Sequence, residues 1–177
     1  MAVDSYKVFM HSLGLSDDAH SRKTPKRVVA AMLEMTRGLR TSIRFTKFPA
    51  NGTDELVIVK DISFTSLCSH HHLSFFGTAA VGYLPDKWIA GLSKIPRLIE
   101  HLARRPQVQE GLTEEIADAL VEKLKPRAVF VLLEATHGCM VFRGVEKHGS
   151  KAITSALRGD REIVKALRPE FLSLVRG

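Results

Sequence analysis

The spacing of apolar residues switches several times between a helical period and dense runs of Val, Ile, Leu and Phe that favour strands. Prolines mark some of the switches, because Pro25 suits a first helical turn and Pro126 ends a helix. The predicted elements, in chain order, are helices over about 3–13 and 25–38, strands over 56–67, 75–84 and 88–92, helices from Ser93 to about 105 and from about 113 to 125, strands over 128–133 and 140–145, and a helical tail after Gly159.

The order of the central elements is strand, strand, helix, helix, strand, strand. Strands that flank a pair of helices predict an α+β fold, in which an antiparallel sheet carries its helices on one face. Four strands leave two unpaired edges, and such edges pair readily with other copies of a chain. We therefore expect a homo-oligomer whose sheets continue from one subunit to the next.

Composition narrows the class of protein. The chain has 177 residues, of which 45% are hydrophobic and 25% charged, as in a single globular domain. No apolar run approaches the length of about 18 residues that a membrane helix needs, so we expect no membrane partner. The first residues lack the basic and apolar regions of a signal peptide. We expect a cytoplasmic protein, because a reducing compartment keeps both cysteines free.

The charge of the chain favours an anionic partner. Lys and Arg number 26 against 19 Asp and Glu, which gives a formal net charge of +7. The basic residues are spread along the chain without aromatic interleaving, so we expect no nucleic-acid partner. A small polyphosphate also suits this charge.

Both cysteines stand among histidines, in the segments Cys68-Ser69-His70-His71-His72 and His137-Gly138-Cys139. A thiolate and an imidazole at C-x-x-H spacing, with a second thiolate far along the chain, are ligands that suit zinc. Three protein ligands leave a fourth position open for water, as in catalytic zinc sites. The alternatives are a disulfide, two buried thiols, or a closed structural site with His70, His72 or His137 as fourth ligand.

Longer segments carry a resemblance to a known family, GTP cyclohydrolase I. The matching segments are Thr24-Pro25-Lys26-Arg27-Val28, Cys68-Ser69-His70-His71, Phe75-Phe76-Gly77, Gly91-Leu92-Ser93-Lys94-Ile95, the run 103–110, the run 112–120, His137-Gly138-Cys139-Met140 and Arg143-Gly144-Val145. They occur in the family's order from about residue 20 to the C-terminus.

The resemblance implies the tunnelling fold, a ββααββ unit that assembles into rings, typically a decamer of two pentamers with active sites between subunits. It divides the chain into an N-terminal helical extension, 1–50, and a tunnelling-fold catalytic domain, 51–177. It also implies that GTP is hydrolysed at C8, that C8 leaves as formate, and that rearrangement gives 7,8-dihydroneopterin triphosphate. This product would serve folate, biopterin or deazapurine pathways. The first 20 residues are short for the family, so we expect no regulatory contacts there.

The resemblance assigns a role to each matching residue. Cys68, His71 and Cys139 resemble the ligands of Zn²⁺, and His137 resembles the acid–base histidine beside the purine. His70, with Ser93, resembles the group that faces the ribose. The residues that resemble substrate contacts are Glu110 and Gln109 for guanine, and Lys94, Arg97, Arg143 and Arg27 for the triphosphate, with Arg27 reaching in from a neighbouring subunit.

Three positions depart from the family pattern. Ser69 replaces a usual Glu, His72 replaces an apolar residue, and Ala30 replaces a common Lys. They motivate a second hypothesis, a divergent homologue that stops at a ring-opened intermediate or acts on another guanine nucleotide. A third hypothesis is a non-catalytic ring that binds GTP. A related nitrile reductase fits less well, because its chemistry needs a nucleophilic cysteine and a nicotinamide site, and both cysteines here fit metal ligation.

Overall fold

The computed structural model describes residues 1–15 and 18–177. Its elements, in chain order, are α1 (Ala2–Ser12), α2 (Thr24–Met35), a 3₁₀ turn (Arg37–Leu39), β1 (Lys47–Pro49), β2 (Val57–Cys68), β3 (Ser74–Leu84), β4 (Trp88–Ala90), α3 (Lys94–Ala103), β5 (Pro106–Gln107), α4 (Gln109–Leu124), β6 (Ala128–His137), α5 (Gly138–Val141), β7 (Ala152–Gly159) and α6 (Arg161–Arg176). None of the described helices combines the length and apolarity needed to cross a membrane.

The central sheet has the strand order β5-β2-β3-β6-β7. Its long strands pair antiparallel, and only the two-residue β5 runs parallel to its neighbour β2, beside Leu67 and Cys68. Within the described residues, β7 has no partner strand on the side away from β6. On the side of β2 away from β3, the strand has no partner among these residues before Leu67. Strands β1 and β4 form a separate antiparallel pair.

Successive side chains of each strand point to opposite faces of the sheet, so the core has two layers. In β6, Val129, Val131 and Leu133 face helices α3 and α4, and all three are fully buried. The neighbouring Phe130 faces the other way and stacks on Phe171 of α6, with ring centroids 5.3 Å apart. Helices therefore cover both faces of the sheet, and the expectation of helices on one face is wrong for α6.

The predicted order of strands and helices is confirmed, but several boundaries differ. Strand β6 runs to His137, four residues beyond the predicted end at 133. Helix α4 begins at Gln109, four residues before the expected start, because Val108 in extended conformation serves as its N-cap. The strand predicted over 140–145 is wrong. One helical turn, α5, follows β6, and the strand that pairs with β6 is β7, Ala152–Gly159. The three-residue β1 was not predicted, because all its residues are exposed and carry no burial pattern.

Candidate metal centre and active site

Two of the three predicted metal ligands lie at the tight turn between β2 and β3. The Cys68 backbone N–H donates to Leu73 O at 2.9 Å, and the His72 N–H donates back to Cys68 O at 2.8 Å. His72 takes a left-handed conformation, with φ 53°, which closes the turn. The turn leaves Cys68 buried at the end of its strand and His71 exposed above it.

The third ligand candidate reaches this turn through β6. Strand β6 pairs with β3, so that His137 lies opposite Phe75, and α5 then carries Cys139 toward Cys68. Gly138 makes the close approach possible, because a Cβ there would lie 2.8 Å from Ser74 O. The two sulfurs and one ring nitrogen of His71 all lie within 4.8 Å of one another.

Among residues 1–15 and 18–177, no other His, Cys, Asp or Glu has a ligand atom within 4.8 Å of all three of these atoms. His70 lies beside it, with Nδ1 3.7 Å from Cys68 Sγ, and its ring is inclined by 72° to that of His71. Both cysteines are free thiols. Two soft sulfurs and an imidazole that converge in this way fit a zinc ion.

The electrostatics of the two thiols point to the same conclusion. Burial raises the pKa of the Cys139 thiol, and the neighbouring Cys68 raises that pKa further. Two adjacent thiolates repel each other, whereas a divalent cation favours deprotonation of the thiols that coordinate it. The pair of sulfurs is therefore a site at which a cation would stabilise the charged form of both.

The ring of His137 is held beside the metal-ligand group. It stacks on Phe75 with centroids 4.6 Å apart and planes only 1° from parallel. Its Nε2 lies 2.7 Å from the Gln109 amide oxygen. Burial lowers the pKa of His137, and the charge of Glu110, which is exposed in the first turn of α4, opposes that shift.

The other predicted substrate contacts fall into two groups. Near the metal-ligand group, Arg143 donates to Cys139 O at 3.2 Å, while the side chain of Gln109 is only 2% exposed and turned into the core. Lys94 and Arg97 lie elsewhere, in a cleft of about 930 Å³. Arg27 is exposed on α2 and does not line this cleft.

The cleft lies between the start of β2 and the first turns of α3. Val59–Ser63 form one side, and Lys94 and Arg97 form the other, with Arg37 and Arg44 nearby. Arg37 is paired with Glu100 at 2.7 Å. Ser93 is exposed at the N-cap of α3, where its side chain makes no capping hydrogen bond.

The cleft and the metal-ligand group lie at opposite ends of β2. Cys68 is five residues beyond Ser63, which is about 17 Å at the rise of an extended strand. Helix α3 runs along the strand in the same direction, since the Arg105 carbonyl after its end accepts from Ser66 Oγ at 3.2 Å. Two of the side chains predicted to bind the phosphates, Lys94 and Arg97, are therefore separated within one chain from those predicted to bind the base, whereas Arg143 lies beside the metal-ligand group.

Comparison with known proteins agrees with this geometry. The chain matches the GTP cyclohydrolase I family over residues 3–176. It belongs to the GTP cyclohydrolase I family. It is therefore a member of an enzyme family, as the motifs predicted.

Two relatives show how far the similarity to GTP cyclohydrolase I extends. A protein of Synechococcus sp. (strain JA-2-3B'a(2-13)) named GTP cyclohydrolase 1 is 50% identical over 158 residues, which cover 88% of this chain and 69% of that protein. The GTP cyclohydrolase 1 of Listeria monocytogenes serovar 1/2a is 44% identical over 177 residues, which cover 98% and 94%.

A solved structure shares the fold of this GTP cyclohydrolase I family member at low sequence identity. It is the crystal structure of the archaeosine synthase QueF-Like in the apo form, with a TM-score of 0.50 and 16% identity over 59% of this chain and 94% of that one. The match supports an α+β fold with an antiparallel sheet, consistent with the tunnelling fold.

Two residues near His137 could not be predicted as a pair from the sequence. Thr113, which is buried, and Thr154, which is half-buried, are hydrogen-bonded to Gln109. Thr113 lies one helical turn after Gln109, on the buried side of α4. A polar threonine among these apolar positions could have indicated a buried hydrogen bond. Nothing in the sequence pattern indicated Thr154, because the last strand was predicted over 140–145 and Thr154 lies on β7.

Proposed function

We propose that this protein hydrolyses GTP at C8, releases C8 as formate and rearranges the remainder to 7,8-dihydroneopterin triphosphate. The observation that carries the proposal is the convergence of Cys68, His71 and Cys139 beside His137, in a chain of this family. We also propose that the protein works in the cytoplasm, where both thiols remain reduced.

Zinc is the metal that we propose for the group of two thiols and one imidazole. Cys68, His71 and Cys139 would hold it, and the donor set matches the soft and borderline ligands that zinc prefers. When bound, zinc acts as a Lewis acid and lowers the pKa of water to about 7.

The residues around this group bind the base and move protons. Glu110 is proposed to accept hydrogen bonds from N1–H and the exocyclic amine of guanine, a donor pair that adenine lacks. His137 is proposed to exchange protons with the imidazole ring of the base, since an imidazole titrates near neutral pH. His70, 3.7 Å from the Cys68 sulfur, is proposed to face the ribose together with Ser93.

Lys94, Arg97, Arg143 and Arg27 are proposed to bind the triphosphate. Within one subunit, the cleft that Lys94 and Arg97 line reaches Ser63 on β2, which is about 17 Å of extended strand before Cys68. We therefore propose that each site combines the metal-ligand group of one subunit with the basic cleft of its neighbour. The free edges of β2 and β7 would pair between subunits in a ring, and two pentameric rings would form a decamer.

A turnover assay with product identification tests the proposal. Purified, zinc-loaded protein is incubated with GTP or ATP, formate is measured, and the other product is identified by mass. We expect formate and 7,8-dihydroneopterin triphosphate from GTP and neither from ATP. A ring-opened product would support the divergent homologue that Ser69 and Ala30 suggest. Tight GTP binding without turnover would support the non-catalytic ring, and either result would overturn the proposal.

A further inference from the structure

A buried network of hydrogen bonds ends on the ring of His137. The side chains of Gln109, Thr113 and Thr154 form it, and it joins helix α4 to strands β6 and β7. Gln109 is 2% exposed and Thr113 is 1% exposed. Thr154 is half-buried. Since water has little access to the Gln109 amide and the Thr113 hydroxyl, the protons of these two groups must be donated within the network.

The backbone carbonyls decide which way the Gln109 amide points. Its Nε2 lies 3.0 Å from Ala152 O and 3.4 Å from Leu133 O, and a carbonyl oxygen can only accept. The NH₂ group therefore faces the strands, and Oε1 faces the Nε2 of His137 at 2.7 Å. Because an amide oxygen also only accepts, His137 must carry a proton on Nε2 and donate it.

The two threonine hydroxyls agree with this direction. Thr113 Oγ1 donates to the Gln109 backbone carbonyl at 2.7 Å, which uses its one proton. In the 2.6 Å contact between the two hydroxyls, Thr154 is therefore the donor. Its oxygen remains free to accept from Gln109 Nε2 at 3.1 Å. The two protons on Nε2 then serve Ala152 O and Thr154 Oγ1, and the longer contact to Leu133 O shares one of them. Reversing the amide would set two acceptors against each other at Ala152.

We propose that Gln109 is a positioning residue that holds a proton on Nε2 of His137, so that the neutral ring keeps its unprotonated nitrogen at Nδ1. The stack against Phe75 fixes the plane of the same ring. The catalytic consequence rests on the proposed function, whereas the position of the ring proton does not. The buried side chain of Gln109 thus acts through His137 and does not contact the substrate.

Nitrogen NMR of the zinc-loaded protein tests the position of the proton directly. The eight histidines are labelled with ¹⁵N, and the His137 ring is assigned by its loss in a His137→Gln variant. At a pH where the ring is neutral, we expect a directly bonded, slowly exchanging proton on Nε2 and a bare Nδ1. A proton on Nδ1 with a bare Nε2 would overturn the proposal. This measurement decides the point even if the protein does not turn over GTP.

Variants separate positioning from substrate contact. Gln109→Met keeps the length of the side chain but removes the amide, and we expect kcat to fall about 10- to 100-fold with KM for GTP changed by less than about threefold. The Nε2 proton should then exchange rapidly.

A matched control and a milder variant complete the test. Ser155→Ala alters an exposed residue of β7 next to Thr154 and should leave kcat and the ring signals unchanged. If Gln109→Met does not fold, Thr154→Val removes one partner of the same amide and should lower kcat in the same direction by a smaller factor. A rise in KM with kcat unchanged, or slow Nε2 exchange in Gln109→Met, would contradict the positioning role.

Discussion

The two ends of strand β2 are built in different ways. At its C-terminal end, three ligand atoms from two tight turns converge within 4.8 Å, and the turns are held by backbone hydrogen bonds. At its start, long basic side chains surround an open cleft of about 930 Å³. Metal ligands need a narrow range of distances and angles, so they sit on rigid turns. Phosphate contacts tolerate flexible side chains, because a charge acts over a longer distance.

The comparison also shows which part is complete in one chain. The metal-ligand group needs only residues of its own subunit. In the cleft, Arg44, Lys94 and Arg97 make no hydrogen bond or ion pair to a described side chain. Their charges face outward, where a phosphate chain and a second subunit can approach.

The largest effect is expected at the metal-ligand group. Cys139→Ala removes one of two sulfurs, so zinc content and GTP turnover should be lost together, with activity lowered by more than about 100-fold. Metal analysis and formate release measure the two quantities. His72→Ala is the control, because this exposed histidine lies outside the group and should leave zinc bound. Zinc-dependent activity retained in Cys139→Ala would remove this residue from the ligand set.

The cleft should affect substrate binding without affecting the metal. In Lys94→Ala/Arg97→Ala, two charge-assisted hydrogen bonds of about 1.5–3 kcal/mol each are lost, and exposure reduces their effect. We expect kcat/KM for GTP to fall about 10²- to 10³-fold with zinc content unchanged. The control Lys165→Ala/Arg168→Ala removes two exposed cations at the same spacing on α6 and should have little effect.

Mixing the two inactive variants tests whether the site is shared. Chains with Cys139→Ala are dissociated and reassembled with chains that carry Lys94→Ala/Arg97→Ala. If each site takes its metal-ligand group and its cleft from different subunits, about a quarter of the sites in a random mixture regain both parts. If one chain supplied the whole site, the mixture would stay inactive, because every chain carries a lesion.

A smaller effect is expected from Glu110→Gln. The amide loses the charge that accepts two guanine N–H groups, so KM for GTP should rise about 10- to 100-fold while zinc stays bound. Glu162→Gln, another acid in a first helical turn, serves as control and should leave KM unchanged. A loss of zinc in Glu110→Gln would show that the carboxylate supports the metal-ligand group instead of the base.

The smallest effect on activity is expected from a substitution at the N-cap of α6, which is not part of the metal-ligand group or the cleft. The Asp160 side chain accepts from the backbone N–H groups of Glu162 and Ile163 at 2.9 and 3.1 Å and caps α6. Asp160→Ala should lower the free energy of unfolding by about 1 kcal/mol, measured by urea denaturation, with kcat/KM unchanged. A change in zinc content would connect α6 to the metal-ligand group and weaken the contrast between the two regions.

Two of the three departures from the family pattern, Ser69 and His72, lie at the turn between β2 and β3, and Ala30 is exposed on α2. Ser69 is exposed, and its backbone N–H donates to Gln107 O at 3.0 Å, so its side chain is not part of that hydrogen bond. His72 points outward at the left-handed position that closes the turn. Neither side chain joins the three ligand atoms, so both changes leave the proposed metal ligands in place.

By itself, the sequence determined the chemistry of the metal-ligand group and the order of strands and helices. Both depend on local features, namely which side chains stand next to Cys68 and Cys139 and how apolar residues are spaced. Only the tertiary structure decided that β7 lies at Ala152–Gly159, that Gln109 is buried against His137, and that the basic cleft lies at the other end of β2. These three features depend on contacts between segments far apart in the chain. The local spacing of apolar residues does not specify which distant segments pair.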